Sequence, residues 1–246
     1  AAKCFTIQPM NTKVETKKKR RLATRARRLL VLVLAVGVLA GLFFGAQAIE
    51  RAVKRAEYVP LSAEEIDYAL LRGAKAEGDA LRLAVAEDAV SLVGKVHYFW
   101  GGKSSAVGED PAWGEIREVT GEGSESTGTM KPYGLDCSGF VAWCFIQQGL
   151  SAAEVEDKIG MGTWTQWDRT TGIAWKDLRV GDFVFQNAYP TNQGNHVGIC
   201  IGFCEDGAPV FAHCAAGFDN VVVTRAGDVF RYARRPNYYE EQGETE

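Results

Sequence analysis

Histidine is scarce and cysteine is unpaired in this 246-residue chain. There are three histidines, and the six cysteines at 4, 137, 144, 200, 204 and 214 form no C-x-x-C pair. That donor set argues against a zinc ribbon, and no metal or other cofactor is expected. The net charge is only −3, so no nucleic-acid partner is expected. Internal repeats are missing. With 46% apolar and 24% charged residues, the chain is neither disordered nor collagen-like. The longest gap is one of charge: residues 29–49, LLVLVLAVGVLAGLFFGAQAI, run 21 positions without Asp, Glu, Lys or Arg.

A bilayer core takes ~20 such residues at helical rise. The charge is segregated about this stretch. Residues 1–28 hold ten Lys/Arg against one acid, Glu15, and the other 218 residues hold eighteen against thirty Asp/Glu. The basic flank around Lys17–Arg21, with Glu50-Arg51 on the far side, predicts a single-pass protein of the cell membrane. Residues 1–28 form its cytoplasmic tail and everything after Glu50 is extracytoplasmic. A cleaved signal peptide is the competitor, because Ala46-Gln47-Ala48 has a small-x-small form, and cleavage after Ala48 would secrete the body. Its 28-residue n-region and 17-residue h-region would both be long, which favours an uncleaved anchor.

After the short break Tyr58-Val59-Pro60-Leu61, Ser62-Ala-Glu-Glu65 has the form of a capping box. Apolar residues then recur at helical spacing through Val93, which predicts a helical stalk over 50–84 and a second helix near 80–94 packed on a body. Residues 103–132 are rich in Gly, Ser, Thr and Glu and have no period, with Trp113 as the one large apolar anchor. Such a length without structure marks a lid or a mobile segment. A helix is predicted over Ser138–Gln148, stopped by Gly149 at C′. Strands are predicted at 183–185, 197–203, 210–213 and 221–224, with Glu205-Asp206-Gly207 as a hairpin turn. An acidic tail, 239–246, closes the chain.

Cys137 sits where loop gives way to helix, and unpaired N–H groups and the dipole favour a thiolate there. His196 opens the strand HVGICIGF, sharing its small, open face with Gly198 and Cys200. A histidine there could form the thiolate and later protonate a leaving amine. His213 closes the next strand. If Phe203 pairs with Val210, His213 faces Cys200 and misses His196. A hairpin larger by two residues puts it opposite Gly198 and diagonal to His196, ~7–8 Å away at Cα. In that register it would orient His196. His97 reads as structural. Cys137–Cys144 (~10 Å) and Cys200–Cys204 (~13 Å) exceed the ~7 Å disulfide limit, leaving Cys200 or Cys204 with Cys214 as the one plausible bridge.

Taken together, Tyr98-Phe-Trp-Gly-Gly102, Leu135-Asp-Cys-Ser-Gly-Phe140, Gly181-Asp-Phe-Val-Phe185, His196-Val-Gly-Ile-Cys-Ile-Gly202 and Phe211-Ala-His213 resemble, in that order, the NlpC-type papain-fold cysteine peptidases of bacterial cell walls. The resemblance implies an α+β papain-like domain over 85–238. It also implies Cys137 as nucleophile, His196 as base and His213 as third member. Tyr98 would line the pocket, and the Cys137 N–H, flanked by Asp136 and Ser138, would hold the oxyanion. The implied partner is a peptidoglycan stem peptide, commonly cut between γ-D-glutamate and the diamino acid. The chain departs from the pattern in its long 103–132 segment and its extended hairpin at 203–209. Two rivals stand beside this reading: an amidase or acyltransferase on the same scaffold, and a catalytically silent wall-binding scaffold.

Overall fold

The computed structural model describes residues 27–45, 60–191, 194–225 and 229–243. The chain divides into two units, 1–52 and 53–246. In the first, helix α1 (Arg27–Gly45) has 19 residues, all exposed, and is long and apolar enough to cross a bilayer. The basic tail through residue 26, residues 46–49 of the expected span with the cleavage candidate at 46–48, and Cys4 lie outside the described residues.

In the second unit, α2 (Ala63–Ala76) starts at the expected capping box: the Ser62 N–H donates to Glu65 Oε2 at 2.8 Å and the Glu65 N–H donates to Ser62 Oγ at 3.3 Å. Residues 50–59 of the expected stalk lie outside the described residues; from residue 63 on the segment is helical, but it is not free of the body. Ile66, Ala69 and Gly73 form a buried stripe, and the Leu61 N–H donates to the Val223 carbonyl at 2.9 Å. Helix α3 (Ala80–Ser91), capped by Asp79, buries Arg82, Val85, Ala86 and Ala89.

The segment 103–132 is ordered, contrary to its unpatterned sequence. Strands β1 (Ile116–Glu118) and β2 (Met130–Pro132) form an antiparallel hairpin. Val119 is buried beside it, and Trp113 packs 5.9 Å from Trp143. Gln147 holds the start of the segment, donating to the Ala106 carbonyl at 3.0 Å and accepting from the Gly108 N–H at 2.7 Å. Two exposed three-residue strands leave no alternation for a sequence reading to detect.

Helix α4 (Cys137–Gln147) buries every residue from Cys137 to Ile146. A helix that is apolar all round has to be enclosed. Helices α5 (Ala152–Lys158) and α6 (Thr163–Asp168) follow it. A six-stranded antiparallel sheet comes next: β3 (Thr170–Ile173), β4 (Phe183–Phe185), β5 (Val197–Phe203), β6 (Pro209–Ala215), β7 (Asn220–Arg225) and β8 (Tyr232–Pro236). Its order is β3-β8-β4-β5-β6-β7. Val197, Ile199 and Ile201 of β5 and Val210, Ala212 and Cys214 of β6 share one core with α4. Cys200 and Phe211 face a smaller cluster around Phe230. This is the α+β arrangement expected, a Cys-bearing helix on an antiparallel sheet. Helix α7 (Tyr238–Gly243) starts inside the expected domain and buries Tyr239, so the acidic tail begins within the fold.

All five described cysteines are free and buried. Neither expected bridge to Cys214 is made: Cys200 faces the opposite side of the sheet, and Cys204 sits at the turn end of the hairpin, its N–H donating to the Ala208 carbonyl at 2.8 Å. Cys214 instead donates its thiol to the Leu135 carbonyl at 3.2 Å.

One ion cluster ties α3 to the sheet. Asp182, fully buried, accepts from Arg82 Nη1 at 2.8 Å, from Arg235 Nη2 at 2.9 Å and from the Arg179 N–H at 2.8 Å. Arg82 is itself 2% exposed and lies 4.0 Å over the Tyr239 ring. Removing the acid strands a buried guanidinium. Asp182→Ala is expected to lower unfolding stability by about 3–5 kcal/mol in a denaturant titration, and a loss below about 1 kcal/mol would contradict this role.

Candidate active site

The site begins at the head of α4. Asp136 is the N-cap, its Oδ1 accepting from the Gly139 N–H at 2.6 Å and from Ser138 Oγ at 2.9 Å. Lys103 Nζ reaches both Asp136 oxygens at 2.6 Å and Ser138 Oγ at 3.0 Å. The 97–102 segment is stitched to this loop by backbone bonds, Leu135 N–H to His97 O and Asp136 N–H to Gly102 O, both at 3.1 Å. The approach is close enough that a Cβ on Gly139 would meet the Gly102 carbonyl oxygen at 2.1 Å. Hence the glycine after Cys-Ser. Behind the first turn, buried Gln166 of α6 donates to the Ser138 carbonyl at 2.9 Å.

The second half comes from the sheet. Phe203 pairs with Pro209 and Gly202 with Val210, but beyond a bulge at Ile201 the register shifts to Cys200 with Phe211 and Ile199 with Ala212. Loop and bulge each contribute one residue of shift. Together they produce the second of the two registers left open by the sequence, which sets His213 beside Gly198. A Cβ on Gly198 would lie 3.3 Å from His213 Cβ and 3.1 Å from the Phe230 ring, so any side chain there would be tight against both. His196 Nε2 lies 2.9 Å from His213 Nδ1, and His213 Nε2 lies 2.9 Å from Thr224 Oγ1. Phe230 stacks on His196 at 5.5 Å with its plane tilted 16°, and meets His213 edge-on at 5.4 Å.

The two halves meet at Cys137. Its sulfur accepts from the N–H groups of Val197, next to His196, and of Ser138. Burial pushes the Cys137 thiol up to about 12; Asp136 adds to the rise, and Lys103 with the two N–H groups opposes it. Burial also pushes His196 down to about 4, and His213 is held well below the usual imidazole range by burial and by His196. The helix terminus alone suggested a stable thiolate. Enclosure outweighs it, and each group by itself prefers to be neutral.

The expected residues Cys137, His196, His213, Asp136 and Ser138 are thus assembled in one place. Tyr98 lies against the same loop through its backbone, bridged to Leu135, with its N–H donating to Asp219 Oδ1 at 3.1 Å. His97 pairs with Asp219 Oδ2 at 3.0 Å. Four contributors escaped the sequence reading: Lys103, Gln166, Phe230 and Thr224. Only Thr224 left a trace, as the polar residue ending the apolar run Val221–Val223. Among the described residues no group of three or more His, Cys, Asp or Glu could hold a metal ion.

Comparison with known proteins places this arrangement. Residues 94–218 match the model of the NlpC/P60 family. Over 125 residues the chain is 29% identical to the peptidoglycan DL-endopeptidase CwlO of Bacillus licheniformis, a match covering 51% of this chain and 21% of that protein. Similar solved structures include the peptidoglycan hydrolase RipB of Mycobacterium tuberculosis (18% identity, TM-score 0.41, 71% of this chain and 67% of that one). RipD of the same organism, described as a non-catalytic NlpC/p60 domain protein, is 16% identical with TM-score 0.42, covering 64% of this chain and 97% of that one. The family match takes in Cys137 at the head of α4, His196 just before β5 and His213 on β6, and the chain belongs to the NlpC/P60 family.

Proposed function

We propose that the protein is a membrane-anchored cysteine endopeptidase that hydrolyses peptide stems of peptidoglycan, with Cys137 as nucleophile and His196 as base. The observation that carries this reading is the convergence of two elements on one sulfur. Helix α4 brings Cys137, and β5 brings the Val197 N–H beside a His196 whose Nε2 is held by His213 at 2.9 Å. Family membership and the likeness to a DL-endopeptidase support peptidoglycan as the substrate. Helix α1 and the basic residues before it support a cell-membrane anchor with the catalytic unit outside.

In this reading His196 Nε2 is committed to His213, so Nδ1 takes the Cys137 proton. Because the thiol is pushed up and the imidazole down, transfer ahead of attack is uphill, and proton transfer and C–S bond formation belong to one step. The carbonyl oxygen of the scissile amide gains charge and is held by the Cys137 N–H at the head of α4, a turn fixed by Asp136 and Gln166. Collapse expels the stem amine, protonated from His196 Nδ1, and leaves a Cys137 thioester. Water, deprotonated by His196, hydrolyses that thioester and restores the thiol.

Two outcomes test the reading. Base function requires neutral His196, so kcat/KM on a stem peptide should fall only as pH drops through about 4. An acid limb near the ordinary imidazole value of ~6.5 would contradict the neutral resting pair. On purified sacculi the wild-type protein should release stem fragments and Cys137→Ala should release none. Equal release by both would remove Cys137 from the chemistry, whereas binding without release by the wild type would favour a silent scaffold.

A further inference from the structure

We infer that Thr224 is a positioning residue that ends the His196–His213 relay and stabilises the His196 imidazolium formed during the reaction, an inference that rests on the cysteine-hydrolase reading above. Thr224 is fully buried, and its Oγ1 lies 2.9 Å from His213 Nε2. On β7 it is paired with Phe211, while His213 is paired with Val222. Thr224 is thus diagonal to His213 as His213 is to His196, and the three polar side chains cross β5, β6 and β7 on one face. Its neighbours Val221 and Val223 point into the α4 core. Valine would suit this strand equally well in shape and β-propensity. A buried hydroxyl is costly without a partner, and here the partner is the second imidazole.

The direction of the two hydrogen bonds follows from proton counting. A neutral imidazole carries one N–H, so with His196 and His213 both neutral the relay can run either way, and a hydroxyl can donate or accept. Once His196 takes the Cys137 proton, both of its ring nitrogens carry hydrogen. His196 Nε2–H must then donate to His213 Nδ1. His213 is left with its proton on Nε2, and that N–H must find an acceptor inside the fold. Thr224 Oγ1 is that acceptor. Without it the charged state strands a buried donor, a penalty absent from the neutral state, which has a second direction open to it. The titratable groups around the relay are Cys137, with Asp136 and Lys103 beside it at the head of α4, and Cys200 on the relay face of β5; Cys214 of β6 lies on the opposite face, in the α4 core. His196, once protonated, is the charge that acts on His213.

Thr224→Val removes the acceptor at constant shape, and Thr224→Ser restores it. In the full-length protein, Thr224→Val should lower kcat on a stem peptide about tenfold with little change in KM, as expected for one lost hydrogen bond to a charged chain. The same variant should move the acid limb of kcat/KM to lower pH, and Thr224→Ser should return both. Nitrogen-15 NMR of the imidazoles gives a readout independent of turnover. At neutral pH His213 should populate the Nε2–H tautomer in wild type and Thr224→Ser, and should keep its proton on Nδ1 in Thr224→Val, where Nε2 has no hydroxyl to donate to. Unchanged kcat, pH profile and imidazole shifts in a folded Thr224→Val protein would overturn the inference. So would a loss that Thr224→Ser fails to rescue. If Cys137→Ala cuts as well as wild type, the hydrolase reading fails instead, and the NMR comparison still decides whether Thr224 sets the tautomer.

Discussion

The pairing of β5 with β6 is the constraint on which the site depends. Side chains alternate across a strand, so a slip of one residue would turn His213 into the α4 core and bring Cys214 to the opposite face. The observed register, with Ile199 opposite Ala212 beyond the bulge, puts both imidazoles on one face at 2.9 Å. The bulge serves both ends of the pair. Its outer half lets the Glu205–Gly207 turn close with Phe203 on Pro209, and its inner half sets the histidines. The close packing at Gly198 and the Phe230 ring over His196 then leave the imidazoles little freedom to rotate.

Enclosure has a chemical consequence. The head of α4 offers the Cys137 sulfur N–H donors and a nearby Lys103, all of which favour a thiolate. Burial and Asp136 work the other way and prevail. Asp136 cannot be dispensed with, because as the N-cap it satisfies the Gly139 N–H, and its carboxylate is balanced by Lys103. The fold thus favours the neutral thiol at Cys137. In the proposed reaction its proton moves only as a substrate carbonyl supplies a place for the charge to go. The relay through His213 to Thr224 is the polar path that enclosure leaves for the imidazolium.

The sequence was most legible where local rules and tertiary packing agree. The capping box at Ser62, the stop at Gly149 and the runs at 183–185 and 197–203 all correspond to observed elements. The short motifs around Cys137 and His196 marked the site because close backbone approach demands glycine at 139 and tight packing favours it at 198. Legibility failed where partners come from far along the chain. Lys103 reaches Asp136 across 33 residues and Gln166 reaches Ser138 across 28, with no local pattern to announce either contact. Strand β8 was hidden by Arg234 and Arg235. Their head groups go to Thr170 and Asp182, so charge that looked solvated is part of the packing. The helical segment before the body read as a stalk because its buried stripe is narrow, Ile66, Ala69 and Gly73 against β5.

The central claim is that the Cys137 sulfur becomes covalently acylated by a stem peptide through His196. Acid quenching of the full-length protein during turnover of a purified muropeptide, followed by intact-mass and peptide mass spectrometry, tests it directly. The account predicts a thioester on the peptide containing Cys137, with the mass of the acyl half of the cut stem, and no such adduct in His196→Ala. Cleavage that proceeds at the wild-type rate with Cys137 unmodified throughout turnover would contradict it.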